Sequence, residues 1–169
     1  MRSTAFRALD AARLATNYFK LPTGLFGFDT AANSPFLPYP AVPYGGSGLV
    51  SSARDWARFG AMHVGDGRLG EVRVMKPETA RLIRSNILPD GVAYTDSGGY
   101  GFGGRVVTPA TKDANDSIGS YGWGGAAGTL FWVDPAKRRS ATLMVQYMPS
   151  EAYPDLRRDL RKAITADFG

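Results

Sequence analysis

The sequence predicts an α+β fold, and three features of its 169 residues carry that prediction. Apolar residues recur at helical spacing within residues 49–90, whereas residues 91–169 contain strand-like runs that are followed by an amphipathic segment. The hydrophobic content of 44% is sufficient for a packed core. We therefore expect two helices, then an antiparallel sheet, then a covering C-terminal helix, all within one domain spanning residues 1–169.

The first section, residues 1–48, is expected to be largely irregular. Residues 5–18 are compatible with a helix, but residues 21–44 are rich in side chains that interrupt regular structure. These are Pro22, Gly24, Gly27, Pro35, Pro38, Pro40 and Pro43. A loop of this length in a compact domain usually has a function or covers another surface.

Two helices are predicted in the second section, residues 49–90. Ser52 and Asp55 have the spacing of an N-terminal capping box, with Asp in place of the usual Glu or Gln, and a helix to about Val64 follows. The Gly-Asp-Gly sequence at residues 65–67 should end it. Pro77 at a first helical position, followed by an acidic residue, predicts the start of the second helix.

The third section, residues 91–169, changes to the composition of strands. Residues 100–107, 128–133 and 140–147 are strand-like runs, and the last two predict an antiparallel hairpin. Lys137, Arg138 and Arg139 follow Asp134-Pro135 and are interpreted as the solvated tip of that hairpin.

A C-terminal helix is predicted over residues 154–168, beginning at Pro154. Leu156, Leu160 and Ile164 recur every four residues and form its buried face. The basic residues of the segment are expected to lie mostly on the outside. They are Arg157, Arg158, Arg161 and Lys162.

Composition excludes several functional classes. Although the net charge is +5, the basic residues are dispersed among acidic ones, so neither nucleic acid nor a membrane surface is expected as a partner. Without cysteine there are no disulfides, thiolate metal sites or cysteine nucleophiles. No apolar run approaches the roughly 20 residues that span a bilayer.

A single histidine, His63, restricts the remaining chemistry. It lies at helical spacing from Phe59, so we interpret it as a structural residue near a helix C-terminus, where a partial positive charge is favourable. A metal hydrolase would need more ligands than His63 and scattered carboxylates such as Asp10, Asp29 and Asp66 supply. Neither a metal nor a cofactor is therefore predicted.

Residues 120–129, Ser-Tyr-Gly-Trp-Gly-Gly-Ala-Ala-Gly-Thr, have the most unusual composition in the chain. Glycine weakens a strand and occurs where a ligand or another backbone packs against the main chain. Backbone N–H groups of an exposed strand can stabilise an oxyanion in acyl transfer. From these residues alone, a glycine-rich turn or bulge is the favoured interpretation.

Three separated segments resemble the β-lactamase-related serine hydrolases, which include class C β-lactamases, DD-peptidases, esterases and acyltransferases. They are Gly-Gly-Ser-Gly-Leu-Val-Ser-Ser-Ala-Arg-Asp-Trp-Ala-Arg-Phe at residues 45–59, Lys-Pro-Glu-Thr at 76–79 and Trp-Gly-Gly at 123–125. Residues 13–18 also fit the family. The resemblance implies the C-terminal part of a β-lactamase/transpeptidase-like fold.

The resemblance also assigns a candidate site. Trp123, Gly124 and Gly125 match the esterase-type replacement of the family's Lys-Thr-Gly motif. By that correspondence the backbone N–H of Ala126 is one of two oxyanion-hole donors, and Trp123 lines the acyl pocket. Tyr121 is placed with them as a substrate-binding residue, and the implied substrate is a small ester or amide.

The family's remaining catalytic elements are not in this sequence. No serine is followed three residues later by lysine, and no tyrosine begins a Tyr-x-Asn or Tyr-x-Ser element. In relatives both elements lie upstream, and residues 1–6 are similar to an internal stretch of the family. The resemblance thus implies a partial domain without its N-terminal catalytic half, which would leave a sheet edge and apolar helix faces uncovered.

Two hypotheses follow. The first is a serine hydrolase lineage whose present chain is inactive alone. The second is a non-catalytic interaction module or remnant that pairs with a complementary half or with itself. If Met1 is the natural start, the expected location is the cytoplasm, since residues 1–6 are not followed by a signal-peptide core.

Overall fold

The computed structural model describes residues 1–40, 42–95, 98–111, 116–148 and 156–168. Within these ranges the chain has mixed α and β structure, as predicted. The helices are α1 (Ala53–Val64), α2 (Pro77–Ile83) and α3 (Leu156–Phe168). The strands are β1 (Asn17–Leu21), β2 (Gly24–Asp29), β3 (Arg68–Leu69), β4 (Val72–Arg73), β5 (Gly99–Tyr100), β6 (Arg105–Val106), β7 (Tyr121–Gly124), β8 (Leu130–Asp134), β9 (Arg139–Leu143) and β10 (Tyr147–Met148).

A five-stranded antiparallel sheet in the order β5-β6-β7-β8-β9 organises the chain. The predicted hairpin is confirmed, because β8 pairs with β9 from Leu130 opposite Leu143 to Asp134 opposite Arg139. The predicted strand over residues 100–107 is instead a hairpin of two short strands. Gly101 donates its N–H to Gly104 O, and Gly103 has a φ of +84°, a turn conformation that glycine adopts readily.

Helix α1 covers one face of this sheet, over β8 and β9. Its N-terminus is as predicted, with the Ser52 side chain accepting a hydrogen bond from the Asp55 N–H at 3.2 Å. The reciprocal half of the capping box is absent, because the Asp55 carboxylate accepts from the Ser3 N–H at 2.7 Å and the Thr4 hydroxyl at 2.9 Å. Asp55 therefore ties the N-terminal segment to α1, and the Ser3 bond is the main cause of its lowered pKa.

Gly60 allows α1 to approach β9 closely. A Cβ added there would lie 2.5 Å from Ser140 Oγ and 2.8 Å from Ser140 Cβ. We expect Gly60→Ala to destabilise the chain by about 1–2 kcal/mol, because overpacking outweighs the gain in helix propensity of about 1 kcal/mol. Urea unfolding followed by circular dichroism tests this result. Ala57→Gly, at an exposed α1 position, reports the propensity term alone, and a Gly60→Ala variant more stable than the parent would contradict the close contact.

The second predicted helix is also present, with Pro77 at its first position. Arg84 directly follows α2, and its side chain links the end of α2 to the end of α1 by hydrogen bonds. Its guanidinium donates to His63 O at 2.7 Å and to Asp66 Oδ1 at 2.5 Å. Burial lowers the pKa of Arg84, which the adjacent Asp66 partly opposes.

The N-terminal section differs from its prediction. Residues 5–18 contain a 3-10 turn at Ala11–Arg13 and the start of β1 in place of a helix, and β2 forms within the stretch expected to be irregular. Asp10 caps the turn by accepting from the Ala12 N–H, and the chain then pairs with partners distant in sequence. β1 lies between β2 and β10 in a separate three-stranded sheet. Tertiary pairing has overridden the local helical propensity.

The C-terminal helix is confirmed over Leu156–Phe168, while its predicted start at Pro154 lies outside the described residues. The predicted orientation of its basic residues is half wrong. Arg158 and Lys162 are exposed, but Arg157 and Arg161 are partly buried against the sheet. Arg161 pairs with Asp116 at 2.9 Å, and Arg157 contacts the end of β7. The apolar residues at spacing four are only half-buried.

The hairpin tip between β8 and β9 is solvated in part. Lys137 and Arg138 are exposed, as predicted. Arg139 instead lies within 3.8 Å of the buried Asp134 carboxylate and stacks over the Trp132 ring. The guanidinium of Arg139 thus belongs to the interior, since a buried carboxylate requires a nearby cation.

Candidate functional site

The candidate site is built on β7, whose side chains alternate between the two faces of the sheet. Tyr121 and Trp123 point to the face that α1 covers, whereas Gly122 and Gly124 lie on the face toward α3. All four residues nevertheless line one pocket beside α3.

Tyr121 is buried, and its hydroxyl donates to Phe102 O at 2.7 Å. Burial raises the pKa of this phenol, with a smaller contribution from Tyr100. Its ring lies 5.9 Å from the His63 ring. Tyr121 was predicted to bind substrate, but its hydroxyl donates to the turn between β5 and β6.

Trp123 is 44% exposed and forms a surface cluster with Tyr94 and Tyr100. The ring centroids lie 5.9 Å from Tyr94 and 5.5 Å from Tyr100, and the two tyrosines are 5.0 Å apart. These distances are typical of aromatic pairs. The sequence did not indicate these tyrosines, because Tyr94 and Tyr100 are 29 and 23 residues from Trp123 and belong to no recognisable motif. We call these three residues the aromatic cluster.

The outer edge of β7 is unpaired at its C-terminal end, within the described part of the chain. β6 pairs with β7 only as far as Arg105 opposite Gly122. Ser120 O accepts from Val107 on the β6 side, and the Gly125 N–H donates to Thr129 on the β8 side. Because successive backbone groups alternate in direction, the N–H of Gly124 points away from β8, into the space where β6 has ended.

Ala126 begins the turn that joins β7 to β8. Gly128 donates its N–H to Gly125 O at 3.1 Å, which closes a β-turn with Ala126 at its second position. Ala126 is exposed, and among the described residues none accepts its N–H. Tyr147 of β10 donates to Ala127 O at 3.1 Å and so fixes the turn beside the three-stranded sheet.

The glycines of this segment also have structural causes. A Cβ on Gly122 would lie 2.3 Å from Phe131 O, and a Cβ on Gly124 would lie 2.7 Å from the Arg157 guanidinium. Arg157 also donates to Gly125 O. Close approach by another backbone and by an arginine of α3 therefore explains part of the glycine content, while the open edge leaves the backbone accessible on its other side.

His63 is 1% exposed and lies between α1 and the sheet, with its ring 4.7 Å from the Phe59 ring. Burial, assisted by the positive charge of Arg84, lowers its pKa to about 4. The expected structural position is correct, but the expected favourable positive charge is not, because the imidazole is neutral at pH 7.

Two negative observations apply to the described residues alone. They contain no cluster of three or more His, Asp or Glu side chains placed to hold a metal ion. Nor does any helix among them have both the length and the apolar composition to cross a membrane.

Comparison with known proteins identifies the lineage. The Beta-lactamase family matches residues 1–166. Protein Rv1367c of Mycobacterium tuberculosis (strain H37Rv) is 31% identical over 180 residues, which cover 99% of this chain and 44% of that protein.

Solved structures show the same fold. EstCE1, described as a hydrolase with promiscuous acyltransferase activity, superposes with a TM-score of 0.80 at 22% identity over 98% of this chain and 47% of its own. Simvastatin synthase (LovD) from Aspergillus terreus superposes with a TM-score of 0.78 at 18% identity, over 98% of this chain and 46% of its own. The present chain thus spans about half the length of these relatives, and it belongs to the Beta-lactamase family.

Proposed function

We propose that this chain supplies the oxyanion strand of a serine acyl hydrolase that acts on esters or amides through an acyl-enzyme, and that the chain alone is inactive. The observation that carries the proposal is the unpaired edge of β7 at Trp123-Gly124-Gly125. It is followed by the exposed residue Ala126, whose N–H has no acceptor among the described residues. The family's Ser-x-x-Lys and Tyr-x-Asn elements do not occur in the sequence. A nucleophile and its base must then come from another segment.

Ala126 is the proposed oxyanion donor. An oxyanion hole needs N–H groups that are held in place before the reaction and are not used by other acceptors. The β-turn and the Tyr147 bond to Ala127 O hold the backbone here. The second donor in such sites is an N–H at the nucleophile itself, which the complementary segment would provide.

The aromatic cluster favours an ester or amide without a carboxylate near the scissile bond. Trp123 occupies the position at which relatives with Lys-Thr-Gly carry a lysine that attracts the β-lactam carboxylate, and an indole has no charge for that contact. Tyr94 and Tyr100 extend its apolar surface. The description of EstCE1 as a hydrolase with acyltransferase activity supports the same chemistry.

A second candidate function is that of an interaction module, a partial domain that pairs with a complementary half or with itself. The specific observation is the β1–β2 hairpin, on which large apolar side chains are exposed on both strands. They are Tyr18, Phe19, Leu21, Leu25, Phe26 and Phe28. Exposed apolar surface of this kind marks an interaction site. The outer side of β9, at the end of the described sheet, is a further place for strand pairing.

A chimera tests the catalytic proposal, with this chain replacing the matching 47% of EstCE1. We expect Ala126→Pro to lower kcat for p-nitrophenyl butyrate by about 100-fold or more, because it removes one oxyanion donor. Proline suits the second position of a β-turn, so the fold of the turn should persist. Ala126→Gly keeps the N–H and should retain kcat within a few-fold of the parent chimera.

The isolated chain is tested in parallel with a fluorophosphonate probe, and we expect no labelling. Stoichiometric labelling of any serine in the isolated chain, or full kcat in the Ala126→Pro chimera, would contradict the proposal. For the interaction hypothesis, light scattering should show self-association that Leu25→Ser and Phe26→Ser abolish. A monomeric parent chain that also fails to bind a complementary N-terminal segment would contradict that alternative.

A further inference from the structure

A cavity of about 610 Å³ lies between the sheet and α3, on the face opposite α1. Its floor includes Arg105, Ser120, Leu130 and Trp132, and Tyr94, Tyr121 and Trp123 also line it. Its roof is the inner side of α3. The volume is in the range of small-molecule sites. Tyr94 and Trp123 of the aromatic cluster also line this space, but Ala126 does not, and neither hypothesis above assigns a ligand to its cationic side.

The floor contains buried polar groups without partners. Trp132 is 3% exposed and Ser120 is 1% exposed, and neither Trp132 Nε1 nor Ser120 Oγ has a hydrogen-bond partner among the described residues. The same holds for Arg105 Nε and Nη2. An unpaired buried donor costs about 1–3 kcal/mol, and more when it is charged. The lining therefore contains several donors that an acceptor entering the cavity would satisfy.

The charges of the lining are strongly unbalanced. Among the described residues one carboxylate lines the cavity, that of Asp116, and it is paired with Arg161 at 2.9 Å. The cationic lining residues are Arg105, Arg157, Arg158, Arg161 and Lys162. Arginine and lysine have donors only, as does the indole N–H. A complementary ligand must therefore supply acceptor oxygens and negative charge.

Apolar side chains also line the cavity and are expected to contact the body of the ligand. Leu130, Val107 and the Trp132 ring lie beside the donors. The glycines of β7 at positions 122 and 124 leave the floor flat on this face. The buried Ser120 and Trp132 donors belong to the sheet itself, below the helix, so a small molecule reaches them more readily than a folded segment would.

We propose that the cavity binds a small organic oxyanion, a phosphate ester or a carboxylate, whose apolar body lies on Leu130 and Trp132. Its charged group accepts hydrogen bonds from Arg105 and Arg157. The site shares Tyr94 and Trp123 with the aromatic cluster, but its donors lie toward α3 and it needs no nucleophile. It is therefore independent of the acyl-transfer proposal.

Isothermal titration of the full chain with phenyl phosphate tests the site. We expect 1:1 binding with a Kd below about 1 mM. Inorganic phosphate should bind more weakly because it lacks the apolar body, and phenol should not bind because it lacks the charge. Benzoate, titrated in parallel at equal ionic strength, distinguishes a carboxylate site from a phosphate site.

Arg105→Gln is the primary variant, and we expect it to weaken binding about tenfold or more, since a charge-assisted hydrogen bond is lost. Arg58→Gln removes the same charge from an exposed position on α1 and should change the Kd by less than about twofold. Ser120→Ala tests the floor without a change of charge. In phosphate-free buffer the Arg105→Gln midpoint of unfolding should equal or exceed that of the parent, because an unpartnered buried cation is removed.

Three results would overturn the proposal. The first is that neither phenyl phosphate nor benzoate binds. The second is that Arg58→Gln and Arg105→Gln weaken binding equally. The third is that a second copy of the chain covers the cavity and the ligands do not displace it. The last result would assign this face to a protein interface. Ester hydrolysis by the chimera tests only the acyl-transfer proposal, whereas ligand binding tests only the cavity. A failure of one proposal can therefore be told from a failure of the other.

Discussion

Trp132→Ala should destabilise the chain by about 3–5 kcal/mol, the usual cost of deleting a large buried aromatic side chain. Trp132 is 3% exposed, and its ring lies under the Arg139 guanidinium at 5.3 Å. The loss is a large fraction of the free energy of unfolding of an ordinary domain, about 5–15 kcal/mol. Urea unfolding at pH 7, followed by far-ultraviolet circular dichroism, measures it without reliance on tryptophan fluorescence.

Trp123→Ala is the matched control, because Trp123 lies on the neighbouring strand, on the opposite face and 44% exposed. It should cost about 1 kcal/mol, since only the ring contacts with Tyr94 and Tyr100 are lost. Equal destabilisation by the two substitutions would contradict the assignment of Trp132 to the core and Trp123 to the surface.

Acidification should destabilise the chain through His63. Its pKa is about 4 in the fold against an ordinary value of 6.5, so the unfolded chain binds a proton first as the pH falls. The stabilisation from neutral His63 is complete above pH 6.5 and is lost progressively down to about pH 4. The total loss is about 3 kcal/mol, of which about 2 kcal/mol falls between pH 7 and 5.

Urea unfolding at intervals between pH 7 and 5 measures this dependence. His63→Phe keeps an aromatic ring beside Phe59 and Phe131 and should remove most of the slope. Asp55 does not interfere, because a carboxyl whose pKa is lowered in the fold contributes its pH dependence at lower pH, below its ordinary value of 3.8. A slope in His63→Phe that equals that of the parent would exclude His63 as its source.

The elements predicted best are those whose signals are local. Ser52 caps α1, Gly65 ends it and Pro77 begins α2, because each acts on backbone groups within a few residues. The β8–β9 hairpin also follows from adjacent strand-like runs. The helix expected in residues 5–18 failed because β1 pairs with Tyr147 and Met148, about 130 residues away, and no local pattern reports such a pairing.

The sequence names the Trp-Gly-Gly segment and Ala126 as the candidate site, and this assignment stays a prediction. Which of their backbone groups face the open edge depends on where β6 ends and on the ladder register. Tyr94 and Tyr100 join Trp123 only in the folded chain. Arg157 was expected on the outside of α3 because the apolar residues of that helix recur on another face. In the structure, β7 has no side chain at Gly124, so the Arg157 guanidinium packs there and donates to Gly125 O.

By itself, the sequence determined the α+β class, the family and the lack of a Ser-x-x-Lys nucleophile, because these depend on residue types and short spacings. The tertiary structure decided which side of β7 is open, that His63 is neutral, and that Arg105, Arg157 and Arg161 surround a common cavity. The physical reason is that burial, charge balance and the direction of a backbone N–H are set by neighbours far away in sequence, which meet only when the sheet and its covering helices assemble.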